Sequence, residues 1–116
     1  MFRECLYLVE QGVADAADID KAIHYAIGMR YASIGLLEYF DAVGFSLEKD
    51  IAKTIYPTLC NESEIQKIVL RGLESGKTGI EAGEGLYQWN EKCIQNFNAR
   101  KGAPYLAAFN WNLPEE

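Results

Sequence analysis

The stretch Asp15-Ala16-Ala17-Asp18-Ile19-Asp20-Lys21-Ala22-Ile23-His24-Tyr25-Ala26-Ile27-Gly28 decides the fold class. Its apolar residues Ile19, Ala22, Ile23, Ala26 and Ile27 recur every three or four positions, which places them on one face of an α-helix. Asp15 stands where an N-cap belongs, and Asp18 adds negative charge to a first turn whose dipole favours it. Gly28 reads as the stop.

The same period extends to both sides. Phe2, Cys5, Leu6 and Val9 form one helix face that ends near Gly12. After Gly28 a short segment, Met29 to Ser33, leads to a third helix near Gly35–Val43, closed by Gly44. Ser46 is expected to cap a fourth helix striped by Leu47, Ile51 and Ile55, with Pro57 bending or ending it because proline supplies no amide hydrogen. Asn61-Glu62-Ser63-Glu64 reads as a capping signal for a helix carrying Ile65, Ile68, Val69 and Leu73 and ending at Gly76. Gly72 shares that face, so a second backbone segment is expected close to it. The glycines at 76, 79, 83 and 85 rule out regular helix up to Leu86-Tyr87-Gln88-Trp89. A last helix, roughly 90–100, precedes an aromatic tail with Tyr105, Phe109 and Trp111. No alternating strand pattern and no internal repeat interrupts this. The expectation is an all-α fold of five or six helices forming one domain over residues 1–116.

A chain of 116 residues, 49% hydrophobic and 24% charged, can build a core without disulfides or metal. The formal net charge of −6 argues against nucleic acid and anionic membrane surfaces as partners, since both require basic patches. No apolar run approaches the ~20 residues of a membrane span. Arg3 and Glu4 interrupt what would be a signal-peptide core. Three widely spaced cysteines (Cys5, Cys60, Cys93) with no Cys-x-x-Cys pair read as reduced thiols of a cytoplasmic protein.

Local chemistry is sparse. His24, the lone histidine, lies off the apolar stripe and one turn after Asp20, as a surface histidine beside a carboxylate would. No ligand set at metal spacing surrounds it, and the cysteines have no local base. Gly72-Leu73-Glu74-Ser75-Gly76-Lys77-Thr78 fails as a phosphate loop: three residues separate its glycines where four are needed, and a helix precedes it. Gly83-x-Gly85 continues to Gln88, an incomplete dinucleotide fingerprint with no strand before it.

Two stretches carry a resemblance. Leu8-Val9-Glu10-Gln11-Gly12-Val13-Ala14, Asp18-Ile19-Asp20-Lys21-Ala22 and Gly28-Met29-Arg30-Tyr31-Ala32-Ser33-Ile34-Gly35-Leu36-Leu37-Glu38 resemble the C-terminal domain of 3-hydroxyacyl-CoA dehydrogenases. Gly83-Glu84-Gly85-Leu86-Tyr87-Gln88-Trp89 resembles that domain's later glycine-aromatic segment. Both fall in the family's order within about residues 2–89, and 90–116 stay unassigned. Gly28-Met29-Arg30-Tyr31-Ala32 is most similar to the branch containing lambda-crystallin and L-gulonate 3-dehydrogenase.

The resemblance implies a fold like the C-terminal domain of 6-phosphogluconate dehydrogenase. It implies one wall of the substrate cleft and a homodimer interface of an NAD-dependent 3-hydroxyacyl-CoA (3-hydroxybutyryl-CoA) or hydroxy-acid dehydrogenase, with a place in fatty acid metabolism for the acyl-CoA case. NAD and the catalytic residues then belong to a nucleotide-binding Rossmann domain, in cis or in trans. This chain is expected to contribute no catalytic, cofactor-binding or metal-binding residue and to be inactive alone. Arg30, Tyr31 and Ser33 are the candidate substrate-binding residues: a guanidinium grips a carboxylate with two hydrogen bonds, and two hydroxyls add donors beside it. The alternatives are an internal ion pair from Arg30 to Glu38 or Asp41 and, for the whole chain, a free-standing helical interaction module with no enzymatic role.

Overall fold

The computed structural model describes residues 1–112 and Pro114; the last part of the unassigned tail, Leu113, Glu115 and Glu116, lies outside the described residues. The chain divides into two compact units, the first Met1–Ile68 and the second from Val69 onward. Among the described residues all regular structure is helical, apart from two isolated bridges, Gly79 with Glu84 and Glu84 with Gln88.

In the first unit α1 spans Phe2–Glu10 and α2 spans Ala16–Ala22. Asp15 caps α2 as expected, its Oδ1 accepting the amide of Asp18 at 2.8 Å, a bond worth about 1 kcal/mol at such positions. The helix does not stop at Gly28. It widens to a π-helical turn over Ile23–Gly28, and Met29 and Arg30 are helical again. Arg30 therefore sits in a last helical turn rather than in the connection where the sequence placed it. Gly28 has no positive φ, so it does not terminate the helix as a left-handed residue would.

Helix α3, Leu36–Val43, begins where expected, with Glu38 Oε2 accepting the Gly35 amide at 3.2 Å. Gly44, at φ 101°, both ends α3 and starts α4, Phe45–Ile55. Ser46 is thus not the cap but part of the first turn. The correction has a simple cause: a backbone angle that only glycine adopts freely turns the chain two residues earlier. Helix α4 gives way at Tyr56–Thr58 to a single 3-10 turn containing Pro57, near the expected place.

The helix expected from the Asn61–Glu64 signal starts later, as α5, Lys67–Glu74. Long-range contacts explain the delay. The Arg3 guanidinium donates to the Glu62 carbonyl at 3.0 Å, and Glu10 Oε1 accepts the Ile68 amide at 2.5 Å. A carboxylate from α1 supplies what a local cap would have supplied. Cys60 and Gln66 are buried in between. With Leu6 and Ile19 they are the buried residues of the first unit.

In the second unit α5 ends at Gly76, and the Lys77 amide returns to the Gly72 carbonyl at 2.8 Å. A Cβ at Gly72 would stand 3.1 Å from the Lys77 carbonyl oxygen, so the backbone expected beside Gly72 is that of residue 77. The glycine-aromatic segment closes on itself: Gly79 donates to the Glu84 carbonyl (2.9 Å), Gly85 to Tyr87 (2.9 Å) and Trp89 to Gly83 (2.8 Å). Helix α6, Glu91–Lys101, starts at Asn90, whose Oδ1 accepts the Cys93 amide at 2.9 Å. Trp89 packs edge-on against Phe97 of α6 at 5.5 Å. Past Gly102 the expected tail continues as a six-residue helix, α7, Ala103–Ala108. Proline at its start suits that conversion, because Pro104 occupies the first turn where its missing amide costs nothing.

Candidate functional site

The π turn of α2 carries the chain toward the start of α3, and Arg30 and Tyr31 meet Tyr39 there. The Arg30 Cζ lies 5.1 Å from the centre of the Tyr39 ring. Tyr31 meets the same ring edge-on at 5.9 Å, and Phe40 meets it at 5.4 Å, again edge-on. Tyr39 is half-buried and Arg30 exposed. The guanidinium is thus held against a ring with its nitrogens accessible to solvent, an attraction of about 0.5–1 kcal/mol at an exposed site. Neither Glu38 nor Asp41 forms an ion pair with Arg30; one Glu38 oxygen accepts the Gly35 amide instead.

Of the three candidates, the structure brings Arg30 and Tyr31 together and leaves Ser33 exposed in the connecting turn, with no hydrogen bond to either. Tyr39 was missed from sequence. Nothing in its local context distinguishes it from a core aromatic of α3, because its role depends on a partner nine positions earlier.

Beside this cluster opens a cleft of about 740 Å³. Leu36, Leu37, Phe40, Phe45 and Tyr56 provide its apolar walls, and Glu38, Asp41 and Glu48 its carboxylates. Phe40 belongs to both the cleft and the ring cluster. Leu37 and Phe45, 84% and 71% exposed, leave this part of α3 and α4 largely uncovered.

Elsewhere His24 stacks on Tyr25 with ring centres 4.5 Å apart. The three cysteines are free thiols. Among the described residues no group of three His, Cys, Asp or Glu side chains is placed to hold a metal, and no helix is long and apolar enough to cross a membrane. The glycine-rich segment does not fit a dinucleotide. Its amides at Gly79, Gly83 and Gly85 are spent on backbone carbonyls, and Lys77 Nζ is bonded to Glu84 Oε1 at 2.8 Å. That ammonium holds the Glu84 carboxyl below the usual carboxylate range, chiefly by its hydrogen bond and against some desolvation. Because the folded value is lowered, the pair is complete above the ordinary glutamate range and lost as pH falls through the lowered value. A carboxyl-carbon NMR titration of Glu84 should give a midpoint below that of the same residue in Lys77→Met. Equal midpoints would remove this pair as the latch of the segment.

A profile of the family described as the C-terminal domain of 3-hydroxyacyl-CoA dehydrogenase matches residues 1–89, the range holding every motif that carried the resemblance. The chain belongs to the 3-hydroxyacyl-CoA dehydrogenase family. It is 32% identical over 104 residues to 5-formyl-3-hydroxy-2-methylpyridine 4-carboxylate 5-dehydrogenase of Mesorhizobium japonicum, covering 87% of this chain and 34% of that protein. It is 29% identical over 108 residues to L-carnitine dehydrogenase of Staphylococcus epidermidis, covering 82% of this chain and 33% of the relative. Among solved structures it is similar to a 5-formyl-3-hydroxy-2-methylpyridine 4-carboxylic acid 5-dehydrogenase described as an NAD+-dependent dismutase. There the TM-score is 0.86 at 28% identity, covering 92% of this chain and 35% of that one. The chain spans about a third of the length of these relatives. Its all-α architecture is that of the family's C-terminal domain.

Proposed function

We propose that this chain forms one wall of the substrate cleft of an NAD-dependent dehydrogenase, and that Arg30 grips the carboxylate of a small hydroxy acid. The observation that carries the reading is the Arg30 guanidinium resting on Tyr39 with neither Glu38 nor Asp41 paired to it. A cation so placed is oriented and still has its donors for a two-pronged bond to a carboxylate. Tyr31 adds a hydroxyl beside it, and Ser33 a second where the connecting turn meets the ligand. The relative at 32% identity acts on a compound whose name includes a carboxylate, which favours a free acid over an acyl-CoA thioester.

This chain binds and orients; hydride transfer requires the nicotinamide held by a Rossmann domain of the same cytosolic enzyme. The whole dehydrogenase, joined to its nucleotide-binding domain, is expected to form NADH from small hydroxy acids. Faster turnover of 3-hydroxyacyl-CoA thioesters than of free hydroxy acids would overturn the substrate class. The isolated chain is expected to bind no NADH, which a fluorescence titration reads directly; saturable binding at micromolar concentration would contradict that expectation.

Self-association belongs to the same proposal. Leu37 and Phe45 in the first unit and Tyr105, Leu106 and Phe109 in the second are all more than two-thirds exposed. Exposed apolar surface of this kind marks interaction faces, and two-fold dimers are the commonest assembly. Light scattering after size exclusion is expected to give twice the 13.0 kDa chain mass at tens of micromolar. A monomer at that concentration would sink the dimer.

A further inference from the structure

A π turn differs from an α turn by one residue in the hydrogen-bond ladder, and each helical residue advances the side chains by about 100°. Every side chain after Ile23–Gly28 is therefore rotated by roughly that angle from where an uninterrupted α2 would have aimed it. Arg30 and Tyr31 lie within three residues of the turn's end and carry this rotation. The Tyr31 amide reaches the Ile27 carbonyl at 3.1 Å, so α spacing has resumed by that point and the offset is not undone. On this rotated face the two side chains meet Tyr39.

Gly28 is where the turn brings a backbone carbonyl close to the missing side chain. Its φ is not positive, so glycine is not there for backbone freedom. A Cβ at residue 28 would instead stand 3.2 Å from the carbonyl oxygen of Ile23, five residues back, inside ordinary van der Waals contact. Residue 28 lies under that carbonyl only in the wide turn; in an α turn the carbonyl faces residue 27.

We propose that the π turn Ile23–Gly28 aims Arg30 and Tyr31 at Tyr39, and that Gly28 is the positioning residue that lets it form. The inference rests on the reading of Arg30 as a carboxylate grip for its consequence in catalysis, but not for its geometry.

The test uses Gly28→Ala. Alanine is the better helix former, so a merely structural glycine predicts unchanged or improved folding and nothing else. Positioning predicts a melting temperature at or above the parent's together with loss of the Arg30–Tyr39 contact. In the full chain the Arg30 side-chain proton resonances, shifted by the Tyr39 ring, should move to their positions in Tyr39→Leu. In the complete dehydrogenase kcat/KM should fall on the order of tenfold or more, as for loss of the guanidinium's bidentate geometry. Deletion of Ala26, which removes the extra residue outright, should move the same resonances and serves if Gly28→Ala folds poorly. Unmoved Arg30 resonances in both variants overturn the proposal. Moved resonances with kcat/KM insensitive to Arg30→Lys uphold the positioning and defeat the substrate grip instead. A fall in kcat/KM for Arg30→Lys, with unmoved resonances in the Gly28 and Ala26 variants, upholds the grip and defeats the positioning.

Discussion

Arg30→Lys in the complete dehydrogenase should cost on the order of 2–3 kcal/mol of transition-state binding, roughly a 30- to 150-fold fall in kcat/KM, with the melting temperature nearly unchanged. Lysine keeps the charge and loses the planar fork, so the expected loss is one of geometry rather than of electrostatic attraction. Little stability is at stake because Arg30 is exposed and its contact is with the Tyr39 ring. The competing role is an internal bridge to Glu38 or Asp41. Its signature would be reduced thermal stability with near-normal kinetics per folded molecule. The geometry argues against it, since one Glu38 oxygen is occupied by the Gly35 amide and Asp41 lines the cleft. Finding that signature nonetheless would strike Arg30 from the binding residues.

Leu6→Ala should lower the unfolding free energy by about 3 kcal/mol, within the 2–5 kcal/mol typical of a buried leucine cut back to alanine. Leu6 is 2% exposed and is the largest fully buried side chain of the described residues. Few other residues are buried with it in the first unit: Ile19, Cys60 and Gln66. A core this small has little redundancy, so the cavity left behind is not shared among many neighbours. Thermal unfolding should show a drop of about 10 °C or more for a unit of this size. Leu8→Ala on the same helix, 36% exposed, is the internal comparison and should cost under about 1 kcal/mol. Equal losses at the two positions would mean that α1 does not pack through Leu6.

The uncovered apolar surface links stability to function. Tyr105 and Phe109 of the tail, 76% and 87% exposed, are ordinary neither for a monomer's surface nor for a finished core. Under the proposed function, these exposed faces are where a second copy or the nucleotide-binding domain would dock.

The sequence by itself determined the helical class and most helix ends. The three-and-four spacing from Phe2 to Ile55 is a local property. So are the cap at Asp15 and the turns at Gly44 and Gly76, each satisfied by a hydrogen bond within about four residues. The motifs around Gly28–Glu38 and Gly83–Trp89 also carried the family, now matched over residues 1–89. Tertiary structure alone decided three things. It started α5 at Lys67 because Glu10, 58 positions from Ile68, supplies the acceptor that a local cap would have supplied. It carried α2 through Gly28 as a π turn, where sequence saw a stop, because helical period does not reveal whether a glycine takes the positive φ that ends a helix, and Gly28 does not. It brought Arg30 onto Tyr39, leaving Ser33 aside, because ring and guanidinium approach across the non-helical turn at 31–34, over which helical period carries no information. Local signals act over one turn of helix; a binding site is made where two such turns meet.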